Sequence, residues 1–291
     1  MANFIALLIA GLATGALYAL VAVGFTLLWQ TSQTINFAQG EFVMLPAFFM
    51  LAAMHAGLPF WAAILVGVAL STAILGFAFK RLLVDPMLRH GVLPLAIATM
   101  ALSIFLKESV KTFYSAEASP FPSLAPDAEL SLLGVSVSWQ NIAVLAAAVA
   151  AVVGLQLLLT RTSVGRQMQA AAQNPTVARI LGVPVERMIL YTFLINGALV
   201  GLASLLISPI YLAKFSNGDT LGLSAFVAAI VGGFNQIRGA IAGGLLLGVV
   251  DNLSAAYVST SYRGAIPMAL LIVVILVRPS GLLGRPEERT V

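Results

Sequence analysis

The sequence predicts an all-α fold, a polytopic bundle of transmembrane helices with about eight to ten membrane segments. Three observations carry this expectation. Of 291 residues, 60% are hydrophobic and 9% charged, with a mean hydropathy of +1.01, where a soluble domain carries roughly a quarter charged residues. Apolar runs near the ~20 residues needed to cross a bilayer recur along the chain. Lys and Arg gather in two of the segments between those runs and in the C-terminal tail. In a soluble protein the net charge of +4 and pI of about 9.6 would suggest nucleic acid. Here they reflect basic cytoplasmic loops, and no nucleic-acid partner is expected.

The runs at 4–29, 60–80, 92–112, 140–160, 188–210, 239–258 and 264–278 read as spans. Segments 40–55 and 221–236 are apolar but short and are bracketed by Gly, Asn and Pro. Each reads either as a tilted span or as a helix that enters part-way. No Lys or Arg precedes the first run, so it is expected to remain as a span and not to be cleaved as a signal peptide. Lys80, Arg81 and Arg89 mark one basic segment; Arg161, Arg166, Arg179 and Arg187 a second; Arg278, Arg285 and Arg289 a third. The positive-inside rule puts all three in the cytoplasm. Segment 113–139, with Glu117, Asp127 and Glu129 and no Lys or Arg, is then an extracytoplasmic loop. Lys107 and Lys111, near the outer end of their span, depart from the rule. The whole chain, 1–291, is expected to be one membrane domain embedded in the lipid bilayer.

The segment 161–187 is a polar island between two apolar runs. Asn174-Pro175 is a helix start, since Asn caps free N–H groups and Pro suits the first helical position. Gly182 is a natural stop. The helix between them is about two turns long, too short to be stable alone in water. Val177, Ile180 and Leu181 share a face by i, i+3, i+4 spacing, while Arg179 points elsewhere. The island therefore reads either as an ordinary connecting loop or as a helix offered to a cytoplasmic partner.

Gly11-x-x-x-Gly15, Gly239-x-x-x-Gly243 and Gly244-x-x-x-Gly248 are spaced for close helix packing. Gly15-Ala-Leu-Tyr-Ala-Leu20 resembles Gly197-Ala-Leu-Val-Gly-Leu202, and each precedes a polar break, around Asn36–Glu41 and around Asn217–Asp219. Two inverted halves with broken helices would give this pattern. The polar residues expected along a substrate pathway are Asn36, Gln39, Glu41, Asn217 and Asp251, because burying such groups at membrane depth is expensive. Each has a structural reading beside it: Asn36 and Gln39 as caps, Glu41 as a helix-start acid favoured by the dipole, Asp251 as a bond to a neighbouring helix.

No phosphate-binding loop, nucleophile elbow or His-Glu-x-x-His is present, so neither an enzyme nor a nucleotide site is expected in this chain. With no cysteine and two distant histidines, His55 and His90, no metal site or cofactor is expected either. Energy for uphill transport must come from a partner or an ion gradient.

Several segments coincide with one family. They are Gly15–Leu20 leading to Ile35-Asn-Phe-Ala-Gln-Gly-Glu-Phe42, the island with Asn174-Pro175 and Leu181-Gly182, the run Ala229–Gly248, and the end, Tyr262-Arg263 with Val277-Arg278-Pro279-Ser280-Gly281. Together the chain resembles the high-affinity branched-chain amino acid permeases of bacterial ABC importers, over nearly its whole length. The resemblance implies a multi-pass inner-membrane permease. Its partners would be a second homologous permease, two cytoplasmic ATPases that bind the ATP, and a periplasmic substrate-binding protein. It also implies that the island is the coupling segment docked on an ATPase, with Pro175, Val177, Arg179, Ile180, Leu181 and Gly182 as contact residues. Members of the family often carry His where this chain has Gln39, so a titrating role there is not carried over. Relatives of the family carry urea, amides or other amino acids. The competing expectation is a secondary, ion-coupled transporter or channel for a small polar solute such as urea or an amide, with Glu41 and Asp251 as the acids.

Overall fold

The computed structural model describes residues 2–124, 128–132, 135–260 and 264–284. Asp127 of the expected outer loop, Arg285 and Arg289 of the tail, and Tyr262 and Arg263 lie outside the described residues.

The chain runs α1 (Ala2–Ser32), α2 (Gln39–His55) and α3 (Phe60–Ser71). It continues through π-helical stretches Thr72–Ala78 and Lys80–Val84 into α4 (Asp85–Leu88), followed by α5 (Val92–Phe113). A two-stranded antiparallel hairpin, β1 (Glu129–Leu132) and β2 (Val135–Ser138), lies within the expected outer loop. Then come α6 (Trp139–Arg161), α7 (Ser163–Gln173), α8 (Pro175–Ile180), α9 (Val185–Tyr211), α10 (Asn217–Gly232), α11 (Ile237–Tyr257) and α12 (Ala265–Val277). Among the described residues, six helices are long and apolar enough to cross a membrane: α1, the continuous helix Phe60–Leu88, α5, α6, α9 and α11. The shorter α2, α10 and α12 fill the remaining predicted segments. The predicted span 264–278 forms a helix of 13 residues, about 20 Å long, which is short of a ~30 Å hydrocarbon core.

Two compact units are distinguished. The first comprises Met1–Thr26, Ser123–Val149 and Leu223–Val291, the second Leu27–Pro122 and Ala150–Gly222. Lipid tails are as apolar as Leu, so close packing holds membrane helices together more than hydrophobic burial does. In the first unit the predicted glycine pairs provide it. A Cβ added at Gly15 would lie 2.8 Å from Leu245 Cα, and one at Gly11 would lie 2.9 Å from Val249 Cα. Gly239 and Gly243 approach the backbone of α10 in the same way. The segment after α12 closes on α10, with Leu282 N–H donating to Val231 O at 2.8 Å and Leu283 N–H to Gly232 O at 2.9 Å. In the second unit α9 packs on the helix starting at Phe60. A Cβ at Gly197 would lie 2.9 Å from Thr72 Cα, and one at Gly76 would lie 3.0 Å from Leu194 Cα.

Candidate functional site

Two breaks organise the polar residues. α1 ends at Ser32 and the next residue, Gln33, has φ +52°; α9 ends at Tyr211 and the next, Leu212, has φ +62°. Among the described residues these are the non-glycine residues with positive φ, a conformation that side chains resist and that surrounding structure must enforce. An Asn ties each break. Asn36 Oδ1 accepts from Ala38 N–H at 3.0 Å, and Asn217 Nδ2 donates to Leu212 O at 2.6 Å. The chain resumes as α2 and α10, whose first turns meet. A Cβ at Gly222 would lie 2.7 Å from Gly40 Cα, and Gly218 leaves room only for the Glu41 carboxylate.

Behind this crossing lies an amide cluster. Gln39 Nε2 donates to Asn196 Oδ1 at 2.8 Å, and Asn196 Nδ2 donates back to Gln39 Oε1 at 3.1 Å. Asn36 Nδ2 also reaches Gln39 Oε1, at 3.4 Å. Gln39 and Asn196 are fully buried, so each satisfies the other where water cannot. Asn196 did not figure in the sequence reading. Its signal was an amide inside the apolar run Phe193-Leu-Ile-Asn196. Gln39, expected before the helix, is its first residue.

Glu41 is 2% exposed. Ser103 Oγ donates to its Oε1 at 3.3 Å, while Oε2 has no hydrogen-bond partner among the described residues. One turn further along α5, Lys107 pairs with Asp219 in the first turn of α10. Lys111 pairs with Glu108 and lies over the Phe215 ring. The two lysines that broke the charge rule are thus both neutralised locally. Beside Asn36, a narrow crevice with room for about one water molecule, partly open to its surroundings, is walled by Leu28, Phe79, Val84, Leu95 and Phe193 with Thr34 and Thr99 as polar points. Asn36, Gln39, Glu41 and Asn217 therefore belong to one polar region of the second unit. Asp251 belongs to the first unit, where it is buried and its carboxylate accepts from Tyr18 Oη of α1 at 3.2 Å.

The island folds around its predicted helix. Asn174 Oδ1 accepts from Thr176 N–H at 3.1 Å and Val177 N–H at 3.0 Å, capping α8. Gly182 has φ +82°, and Gly182 N–H to Arg179 O with Val183 N–H to Ala178 O closes a Schellman motif. Ala178 is buried, whereas Ile180 is 79% and Leu181 75% exposed, with Val177 half-exposed beside them. The second island helix, α7, was not anticipated. Thr162 Oγ1 caps it by accepting from Gly165 N–H at 2.9 Å. Among the described residues no group of three His, Cys, Asp or Glu is placed to hold a metal ion.

Comparison with known proteins follows the same lines. The model of the family described as branched-chain amino acid transport system, permease component, matches residues 7–275. The chain is 33% identical to the high-affinity branched-chain amino acid transport system permease protein BraD of Pseudomonas aeruginosa, covering 99% of this chain and 98% of that protein. It is 31% identical to LivH of Escherichia coli, of the same description, covering 97% and 96%. The solved structure of PsaBC from Streptococcus pneumoniae in complex with Fab is similar in fold, with a TM-score of 0.50 at 15% identity over 94% of this chain and 91% of that one.

Proposed function

This chain belongs to the family of branched-chain amino acid transport system permease components, and we propose that it forms the membrane path of an ATP-driven importer of branched-chain or other hydrophobic amino acids. It is a multi-pass inner-membrane transport component, not an enzyme. The observation that carries the reading is α8. A helix of six residues, capped at both ends by dedicated hydrogen bonds, holds three apolar side chains away from its own protein. Such a helix leans on a partner, and in an ATP-driven importer a chain with no phosphate loop leaves hydrolysis to that partner.

In this reading the island 161–187 faces the cytoplasm, the loop 113–139 faces outward, and Val177, Arg179, Ile180 and Leu181, between Pro175 and Gly182, dock on an ATPase. The complex holds a second homologous permease, two ATPases and a periplasmic binding protein that delivers the amino acid. Asn36, Gln39, Glu41, Asn217 and Asp251 line or support the pathway. The crevice beside Asn36 is mostly apolar, with Thr34, Asn36 and Thr99 as its polar groups, and it is closed down to about the size of a water molecule, so passage of a branched side chain requires its walls to part. Alternating access follows when the ATPases move α8 and the half-helices α2 and α10 part at their glycine crossing.

The test is purification from native membranes followed by reconstitution. Co-purification of two ATPases and a second permease, with leucine uptake that needs ATP and the binding protein, is the expected result. Uptake by this chain alone, driven by a proton or sodium gradient, overturns it.

A further inference from the structure

Lys80 lies on the helix that begins at Phe60, at the start of its second π-helical stretch, and its side chain is only 7% exposed. Its ammonium meets Asp85 Oδ1 at 2.9 Å and Glu186 Oε2 at 3.9 Å. Glu186 stands in the first turn of α9, exposed, and its other oxygen lies 3.9 Å from Arg179 Nη2 of α8. One carboxylate thus stands between the cation of the coupling helix and a buried cation of the long helix. On either side of Lys80 in sequence, Phe79 and Val84 wall the crevice. The Phe79 ring meets Phe42 of α2 edge-on at 4.8 Å and Phe193 of α9 at 5.9 Å.

The contacts differ in kind. Lys80–Asp85 is close, with the lysine buried. The two contacts of Glu186 are long and face water, where ion pairs are weak, so they can be made and broken within a cycle. The backbone at this point is also unusual. A π-turn carries one extra residue, and absorbing or releasing it rotates what lies beyond by about 100°. Such π-helical stretches are places where a helix can change register.

We propose that Lys80 and Glu186 are positioning residues that pass displacement of α8 to the crevice wall formed by Phe79 and Val84. This rests on the importer reading above. The test uses the complete complex in proteoliposomes, measuring leucine imported per ATP hydrolysed. Loss of Lys80 would strand Asp85, so the exposed Glu186 carries the experiment. Glu186→Lys, which sets three cations together, is expected to lower that ratio about fivefold or more, and Glu186→Asp to hold it within about twofold. An assembled Glu186→Lys complex with the wild-type ratio overturns the proposal. So does a Glu186→Lys chain that no longer retains the ATPases, since Glu186 would then be a docking contact. Absence of ATP-driven uptake in the wild-type complex removes the importer reading itself and the proposal with it.

Discussion

Replacing Gly222 by Ala sets two physical effects against each other. Ala is a better helix former than Gly by about 1 kcal/mol in a helix interior, and Gly222 lies within α10. The added Cβ, however, would lie 2.7 Å from Gly40 Cα and 3.1 Å from Gly40 N. Both neighbours are backbone, so no side chain can swing aside, and α2 and α10 must part by about 1 Å to restore ordinary contact. Overpacking of that kind costs about 1–3 kcal/mol, which exceeds the propensity gain. Gly222→Ala is therefore expected to be net destabilising by about 1 kcal/mol, a fall of about 2–4 °C in apparent Tm for a domain of this size. Gly154 is the control. It also lies mid-helix, in α6, yet a Cβ there meets nothing within 4 Å, so Gly154→Ala should leave the Tm level or raise it. The assay is thermal unfolding of the two variants in the same detergent, followed by size-exclusion recovery. A Gly222→Ala protein as stable as Gly154→Ala would refute the claim that the crossing is held by backbone contact.

Three further predictions concern single side chains. Gln39→Leu strands the buried Asn196 amide and is expected to cost about 1–3 kcal/mol. The double variant Gln39→Leu/Asn196→Leu should recover most of that, and a fully additive thermal cycle would argue against the reciprocal pair. Asn174→Ala removes the acceptor for Thr176 and Val177 N–H, worth about 1 kcal/mol to α8. It should weaken ATPase co-purification at unchanged membrane abundance, so undiminished recovery would mean the cap is idle. Ile180→Asp places a charge on the exposed face of α8 and should cut ATPase recovery about tenfold, as loss of an interface anchor does. Normal recovery would move the docking surface elsewhere.

Much of the fold was legible because apolar runs report spans directly, and each of the nine predicted segments corresponds to an apolar helix, or to one continuous run of helical elements, among the described residues. Discrepancies have local causes. The span expected to stop near residue 80 runs on to Leu88, because Lys80 pairs with Asp85 along the same helix; charge ended the hydropathy signal without ending the helix. α7 is polar and carries no apolar run, and its start depends on the Thr162 cap and on Gly165 lying against the backbone of Leu158 and Leu159. At the site, Asn36, Gln39, Glu41 and Asn217 stood out because polar groups are costly at membrane depth. Their partners did not. Asn196 lies 157 positions from Gln39, and Tyr18 lies 233 positions from Asp251. No helical period connects such positions; only the packed chain does.

The two breaks bear on which acid matters. Gln33 and Leu212 both take a positive φ, and Gln39-Gly40-Glu41 and Asn217-Gly218-Asp219 open the helices that follow. Gly15 and Gly197, the starts of the similar sequence segments, are both close-approach glycines, one against α11 and one against the helix starting at Phe60. Each half-helix carries its acid in the first turn, where the dipole favours negative charge by about 0.3–1 kcal/mol. Dipole stabilisation therefore applies equally to both acids and cannot explain why they differ. Asp219 has its side chain 53% exposed and its charge met by Lys107, whereas Glu41 is buried with one oxygen held by Ser103 and the other facing Gly218 without a hydrogen-bond partner among the described residues. Ser103 and Lys107 sit four residues apart on one face of α5, so a single helix attends to both acids and treats them differently. Burying a carboxylate with an unmet oxygen is costly, and a helix start alone needs no such burial. That excess cost, absent at Asp219, is the reason to rank Glu41 ahead of it as a pathway residue.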